Sequence, residues 1–175
     1  MNRVLLSLGS NIDSETNLRE ALRRLASRCR VLAVSPVYET APVGNPAQPA
    51  FLNAAALIET ELTADALKTR VLRAIEQELG RVRRDDRNAP RTIDLDIALV
   101  VASAADAGPA GSAHPDILRY AHVAVPLADI APQARHPATG TSLREIARGL
   151  VAGGMVARPD IVLWPIAAEH PPKES

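Results

Sequence analysis

Residues 91–100, RTIDLDIALV, have the composition of a buried strand, yet they carry two carboxylates, Asp94 and Asp96. In a strand, residues two apart project to the same face, so these side chains lie together while the apolar residues around them face the other way. Two ionised carboxylates repel each other when they are desolvated, unless a cation lies between them. Mg²⁺ completed by water and phosphate oxygens removes that penalty. The pair is typical either of a Mg²⁺ site or of an exposed strand face with two ordinary acids.

Five arginines precede or open this strand, within residues 81–91, RVRRDDRNAPR, of a chain whose net charge is zero. Planar guanidinium groups match phosphate oxygens, and carboxylates for a metal beside arginines for phosphate are what phosphoryl transfer needs. The alternative is a surface loop of compensating ion pairs. The five are Arg81, Arg83, Arg84, Arg87 and Arg91.

The sequence lacks the motifs of several other kinds of binding and catalytic site. The chain has no G-x-x-x-x-G-K-[ST] and no G-x-G-x-x-G, so side chains would have to hold the phosphates of any nucleotide. No serine nucleophile elbow occurs, the four histidines lack zinc-ligand spacing, and the single Cys29 has no partner for a disulfide.

The elements that position these residues begin with a strand at VLLSL, which Gly9–Asn11 ends as a turn. A helix follows, with an apolar stripe from Leu18 to Leu25 and a capping box predicted at Asn17 and Glu20. Residues 30–40 alternate as a second strand in which Pro36 favours an edge or a bulge. The proline-rich segment 40–49 is expected to be a loop.

A third strand, FLNAAALIET, and a helix capped by Thr63 come next, with its apolar stripe running from Leu67 to Leu79 and Gly80 at its end. The strand at residues 91–100 completes the order β-α-β-β-α-β. This order predicts an α+β, ferredoxin-like split βαβ fold with an antiparallel sheet and helices on one face. LREIARGL predicts a short helix in a C-terminal helical extension.

Composition limits the function classes. The 175 residues predict a single domain over 1–165 and a loose tail over 166–175. No apolar run is long enough to span a membrane or to act as a secretory signal, so we expect a cytoplasmic protein. The zero net charge gives no case for nucleic-acid or membrane partners.

Several segments together carry a family resemblance. LSLGSN, SPVYETAPVGNPAQPAFLNAA, ELGRVRR, APRTIDLDIALV and HP followed by VPLADIAP resemble, in order over residues 4–132, the signatures of the 6-hydroxymethyl-7,8-dihydropterin pyrophosphokinase family. The resemblance implies a ferredoxin-like fold, ATP as co-substrate and two Mg²⁺ ions. It also implies transfer of a pyrophosphoryl group to the pterin hydroxymethyl oxygen in folate biosynthesis, with release of AMP, by a protein expected to be a monomer.

The resemblance also implies roles for individual residues. The two aspartates, Asp94 and Asp96, match the metal ligands, and they form the catalytic set with Arg81 and Arg91. Positions matched to ATP binding are Glu76, Arg81, Arg83, Arg87, Arg91, His114 and Arg119. Positions matched to the pterin pocket are Thr40, Val43, Phe51, Asn53 and His122.

Four positions depart from the family pattern. Asn88 and Ala89 replace a frequent Trp-Gly pair, Tyr120 replaces an arginine for which Arg119 can substitute, and His122 replaces a pterin-stacking phenylalanine. These departures favour, as an alternative, a paralogue that acts on a different pterin. A non-catalytic pterin- or nucleotide-binding module is a second alternative, which the retained acidic pair disfavours. An RNA-binding domain is a third, disfavoured because the chain has only one Trp, two Tyr and one Phe.

Overall fold

The computed structural model describes residues 1–42, 47–82, 89–101, 113–150 and 152–165. Its elements, in chain order, are β1 (Asn2–Ser10), α1 (Ser14–Ala26), β2 (Arg30–Val34), β3 (Tyr38–Thr40), β4 (Phe51–Thr60), α2 (Ala64–Ala66), a π-helical segment (Leu67–Leu72), α3 (Arg73–Glu78), β5 (Asp94–Val101), a 3-10 helix (Pro115–Leu118), α4 (Ala121–Ile130), α5 (Leu143–Gly149) and β6 (Met155–Ala157).

The strands form one antiparallel sheet with β1 near its centre. Its order is β5-β1-β4-β3-β6, and β2 pairs with β4 as well. The four strands predicted from the β-α-β-β-α-β order are therefore present, as β1, the pair β2 and β3, β4, and β5. They are arranged as in a ferredoxin-like sheet. The predicted second strand is divided into β2 and β3 because Pro36 has no N–H to donate to a ladder.

The two predicted apolar stripes are confirmed. Leu18, Ala21, Leu22 and Leu25 of α1 are all fully buried. In the second stripe Leu67, Val71 and Ile75 are buried, and Leu79 at its end is partly buried. Thr63 caps the second helix by accepting a hydrogen bond from the Ala66 N–H at 3.3 Å, and Gly80 follows that helix with a φ of 73°. A left-handed φ of this kind is the conformation that glycine adopts at helix ends.

The capping box predicted at Asn17 and Glu20 is wrong. Helix α1 begins one turn earlier, at Ser14, with Asp13 in the left-handed region at a φ of 43°. Asn17 therefore lies inside the helix, and its Nδ2 donates to the Ile12 carbonyl at 2.7 Å.

Hydrophobic side chains pack on both faces of the sheet. One face, with alternate residues such as Val4, Leu6 and Leu8 of β1, packs against α1 and the helical segment 64–78. The opposite face, with Leu5 of β1, packs against α4 and α5. The helices of the split βαβ motif thus share one face as predicted, whereas the C-terminal helices cover the other face.

The C-terminal segment completes the sheet. Helix α5 lies where LREIARGL predicted one, and a capping box stabilises its start, with Ser142 as the N-cap and Glu145 as its partner. Strand β6 pairs with β3 and forms an edge. Within the described ranges, no helix is long and apolar enough to cross a membrane.

Candidate active site

The two aspartates lie side by side on the polar end of one sheet face. Asp94 of β5 is paired with Gly9 of β1, and Asp96 is paired with Ser7. Since Ser7 and Gly9 carry little or no side chain, they leave open space beside the carboxylates, and both line the adjoining cavity. Leu95, between the aspartates, is buried in the core on the opposite face. The alternation predicted for this strand is therefore confirmed.

Asp94 is held by two guanidinium groups. Arg81 Nη1 donates to Asp94 Oδ1 and also to the Ile93 carbonyl at 3.1 Å, and Arg91 Nη1 donates to Asp94 Oδ2 at 2.6 Å. Burial alone would raise the pKa of Asp94, but Arg81 and Arg91 outweigh it and hold that pKa below its ordinary value. Asp94 is therefore ionised at neutral pH.

Glu76 connects the end of the second helix to this strand. Its side chain is buried, with the residue 4% exposed, and its Oε1 accepts a hydrogen bond from the Leu95 N–H at 3.0 Å. The same oxygen accepts from Arg81 Nη1. Arg81 is thus shared between two carboxylates, Glu76 and Asp94, which fixes it beside the strand that carries the acidic pair.

Asp96 has a different environment. Its side chain is 37% exposed, and the Lys68 ammonium lies 3.9 Å from its Oδ1. Lys68 is in the π-helical segment, 28 positions before Asp96 in the chain. Asp96 is therefore the more accessible carboxylate of the two, with a cation at its edge that the sequence patterns did not indicate.

A cavity of about 410 Å³ opens beside the aspartates, within the usual range for small-molecule sites. Strands β3 and β4 supply one wall, with Thr40, Phe51 and Asn53. Asn53 Nδ2 donates to Thr40 Oγ1 at 2.9 Å, and the Arg91 guanidinium carbon lies 5.7 Å from the centre of the Phe51 ring. This wall combines a flat apolar ring with an amide, the two groups that recognise a flat heterocycle bearing polar edges.

The start of α4 and the residue before it supply another part of the lining. The rings of Tyr120 and His122 are stacked, with centroids 5.2 Å apart and an interplanar angle of 25°, and both line the cavity. Burial lowers the pKa of His122 and outweighs the opposite effect of Asp116. His122 is therefore a neutral aromatic ring at pH 7.

Two further predicted residues reach the same cavity. Arg119 lines it and is exposed. His114 also lines it, and its Nδ1 accepts a hydrogen bond from the Asp116 N–H at 3.3 Å while lying 3.7 Å from an Asp116 carboxylate oxygen. The His114 N–H donates to the Ala98 carbonyl of β5 at 2.8 Å, which holds this segment against the strand of the aspartates.

A second cavity, of about 400 Å³, meets the first at the acidic pair. Asp94, Asp96 and Arg91 line both cavities. The second adds basic residues from the helical segment 64–78 and its end, Lys68, Arg73 and Arg81, together with the buried Glu76. The two carboxylates therefore lie at the junction of a cavity that carries both basic and acidic side chains and a cavity with aromatic rings.

Most of the predicted site residues converge at this junction. Val43, Arg83 and Arg87 lie outside the described residues, as does the departure at Asn88. Residues that the sequence patterns missed as site components are Ser7, Gly9, Lys68 and Arg73. LSLGSN predicted a strand and a turn and contributed to the family resemblance, but it assigned no role to Ser7 or Gly9. Nothing in the local sequence of Lys68 and Arg73 distinguishes them from solvated helix positions.

Comparisons with known proteins agree with the geometry. A sequence model of the family described as 7,8-dihydro-6-hydroxymethylpterin-pyrophosphokinase (HPPK) matches residues 5–132. The 2-amino-4-hydroxy-6-hydroxymethyldihydropteridine pyrophosphokinase of Pseudomonas aeruginosa is 41% identical over 142 residues, covering 78% of this chain and 85% of that protein. The protein of the same name from Bacillus subtilis is 40% identical over 141 residues, covering 79% and 83%.

Longer proteins match as well. Folic acid synthesis protein fol1 of Pneumocystis carinii is 36% identical over 142 residues, which cover 80% of this chain but 19% of that protein. A crystal structure of Plasmodium falciparum HPPK-DHPS superposes with a TM-score of 0.59 at 14% identity, covering 85% of this chain and 43% of that one. This likeness shows the shared ferredoxin-like fold. From the family match and the bacterial relatives together, we conclude that the chain belongs to the 7,8-dihydro-6-hydroxymethylpterin-pyrophosphokinase family.

Proposed function

We propose how the residues of this site divide the work of the family's reaction. That reaction, which this chain catalyses, is ATP-dependent pyrophosphoryl transfer to 6-hydroxymethyl-7,8-dihydropterin in folate biosynthesis. The observation that carries the proposal is the position of Asp94 and Asp96 at the junction of two cavities, one that presents arginine and lysine side chains and one lined by aromatic rings. The reacting phosphorus must lie where the two substrates meet, so the junction is the reaction centre.

Mg²⁺ fits the donor set at the junction. Two carboxylates on one strand face supply hard oxygen ligands, and Asp96 is open to solvent with 37% of its side chain exposed. Among the described residues no group of three or more acidic, His or Cys side chains could hold a metal. Phosphate oxygens and water would have to complete the coordination, as is usual for Mg²⁺. We assign two ions to Asp94 and Asp96, where they would neutralise charge on the phosphates.

The nucleotide occupies the second cavity, where Lys68, Arg73 and Arg81 supply positive charge. Arg91 is placed to contact phosphate oxygens beside the acidic pair, and Arg81 is placed there when it exchanges a carboxylate partner for phosphate. Glu76, which is buried against the Leu95 N–H, orients Arg81 and lines the nucleotide side. His114 and Arg119 flank the 3-10 helix. His114 lines both cavities and Arg119 lines the first, beside the aspartates. We assign both to ATP binding, and we retain Arg83 and Arg87 as further phosphate ligands.

The pterin occupies the cavity with the aromatic rings. Phe51 offers one flat face and His122 another, while Asn53 presents an amide that can both donate and accept hydrogen bonds along the pterin edge. Asn53 is held in place by its hydrogen bond to Thr40. Val43, in the proline-rich segment 40–49, is assigned to the same pocket.

No protein nucleophile is required. The hydroxymethyl oxygen of the pterin attacks the β-phosphorus of ATP, a new P–O bond forms, and the bond from the β-phosphorus to the oxygen bridging it to the α-phosphorus breaks. AMP leaves and the hydroxyl proton is released. The chain contributes by holding the two substrates in line and by excluding water that would hydrolyse ATP.

The test is product formation by the purified chain. Incubated with ATP, Mg²⁺ and 6-hydroxymethyl-7,8-dihydropterin, it is expected to release one AMP for each pterin pyrophosphate, as followed by ion-exchange chromatography. A matched reaction without pterin controls for ATP hydrolysis. Lack of AMP with this pterin and its close analogues would refute the proposal, and AMP formation with an analogue alone would assign the chain to a different acceptor.

We also propose that the chain acts as a monomer in the cytoplasm and that residues 1–165 form one domain, followed by the tail 166–175. One sheet carries hydrophobic packing on both of its faces, which supports a single folding unit. Size-exclusion chromatography with light scattering tests the monomer, for which the mass of one chain, 18.6 kDa, is expected.

A further inference from the structure

Asn11 is a buried polar residue that the mechanism above does not use. It follows β1 directly, in the LSLGSN motif, and is 2% exposed. It is not among the residues that line either cavity. A buried amide must have hydrogen-bond partners, and the identity of those partners indicates what the side chain does.

One set of bonds reaches the nucleotide side of the site. Asn11 Oδ1 accepts from the Arg91 N–H at 2.8 Å, and the Asn11 N–H donates to the Arg91 carbonyl at 3.1 Å. Both polar groups of the Arg91 peptide backbone are therefore fixed by one residue. The guanidinium of Arg91 extends from this point to Asp94, at 2.6 Å.

The other set reaches the acceptor side. Asn11 Nδ2 donates to Gln48 Oε1 at 3.3 Å and to the Pro49 carbonyl at 3.4 Å. Pro49 lies two positions before Phe51, the aromatic ring of the acceptor cavity. The same Phe51 ring lies 5.7 Å from the Arg91 guanidinium carbon.

Neighbouring Ser10 reinforces this arrangement. It is fully buried, and its Oγ donates to the Thr92 carbonyl at 2.5 Å. The end of β1 thus supports two consecutive residues, Arg91 and Thr92, of the segment that leads to Asp94. Asn11 differs from Ser10 because it also bonds to the segment that leads to Phe51.

We propose that Asn11 is a positioning residue that couples the nucleotide side of the site to the acceptor side through one buried amide. Its Oδ1 sets the position of Arg91, and its Nδ2 sets the position of the chain before Phe51. This inference rests on the proposed assignment of the two cavities. In-line transfer needs the substrates aligned closely, and a displacement of about 1 Å can cost on the order of a hundredfold in rate.

The first test is Asn11→Ala. We expect the KM values for ATP and for the pterin both to rise and kcat/KM to fall by about tenfold to a hundredfold, the range expected for misplaced groups. The matched control is Ser142→Ala. Ser142 is also buried, at 6% exposure, and hydrogen-bonded, but it caps α5, so its loss is expected to lower thermal stability without changing either KM. Kinetic constants of Asn11→Ala within twofold of wild type would overturn the inference.

The second test is Asn11→Asp, which separates the two sets of bonds. A carboxylate still accepts from the Arg91 N–H, but it cannot donate to the Pro49 carbonyl. We expect the KM for the pterin to rise at least three times as much as the KM for ATP. Equal rises in the two KM values would overturn the inference that separate atoms of the Asn11 amide hold the nucleotide side and the acceptor side.

Binding measurements keep this test distinct from that of the proposed function. Calorimetry with a non-hydrolysable ATP analogue is expected to show weaker binding to Asn11→Ala than to Ser142→Ala, and equal binding by these two variants would overturn the inference. A wild-type chain that releases no AMP would refute the proposed function instead. In that case the affinities of the two variants for the ATP analogue would still test the role of Asn11.

Discussion

Replacing Asp94 or Asp96 by asparagine tests the site. The two substitutions should lower enzyme activity to a similar extent but lower thermal stability to different extents. Each variant removes one carboxylate from the proposed metal site while preserving side-chain volume. Asp94, however, also accepts hydrogen bonds from Arg81 and Arg91. Asp96 instead forms an ion pair with Lys68, whose Nζ lies 3.9 Å from Asp96 Oδ1.

The expected loss of stability follows from these contacts. Breaking a buried ion pair costs about 3–5 kcal/mol of folding free energy. For Asp94→Asn we expect about 2–3 kcal/mol, because the Asp94 side chain is 25% exposed and Arg81 retains its hydrogen bond to Glu76. That corresponds to a fall in Tm of about 5–10 °C for a chain of this size. Asp96→Asn breaks an exposed pair worth about 1 kcal/mol or less, so its Tm should fall by less than about 4 °C.

Both variants should lose activity to a similar extent. Loss of one carboxylate from a metal site that neutralises phosphate charge is expected to lower kcat by about a thousandfold, which equals about 4 kcal/mol of transition-state stabilisation. AMP release measures the activity, and differential scanning calorimetry measures Tm. The reasoning fails if Asp96→Asn lowers Tm as much as Asp94→Asn, or if either variant keeps more than about a tenth of the wild-type kcat.

Three further predictions use other parts of the structure. Burial lowers the pKa of His122, so the His122 imidazole binds a proton less readily in the folded protein than in the unfolded chain. A protonated His122 would no longer offer a neutral ring, so the KM for the pterin should rise only at pH values below the ordinary pKa of histidine, and His122→Phe should remove this dependence in a KM–pH profile. Tyr38→Phe removes the hydrogen bond from the Tyr38 hydroxyl to Asp129 Oδ2, which is 2.7 Å long, and should lower Tm by about 2–4 °C, the equivalent of about 1 kcal/mol. Ser142→Ala removes the cap from Glu145 N–H and should lower the free energy of unfolding by about 1 kcal/mol in urea titrations, with unchanged kinetics.

The success of the sequence predictions depended on how local the interactions were. Alternation along residues 91–100 predicted that the aspartates share a face, and helical periodicity predicted the buried stripe of α1, because both patterns depend on backbone geometry alone. The capping box at Asn17 was wrong because helix α1 begins at Ser14. A capping motif indicates where a helix can begin, while the packing of the whole turn decides where it does begin.

Local patterns in the sequence were enough to identify the strand with two carboxylates, the cluster of arginines, the order of elements and, through the motifs, the family. The tertiary structure decided how these pieces meet. The Leu95 N–H bonds to Glu76 across 19 residues, and the Arg91 N–H bonds to Asn11 across 80 residues. Lys68 approaches Asp96 from a helix. Such contacts join elements through the sheet order and the packing of helices on its faces, and no periodicity within one segment records them.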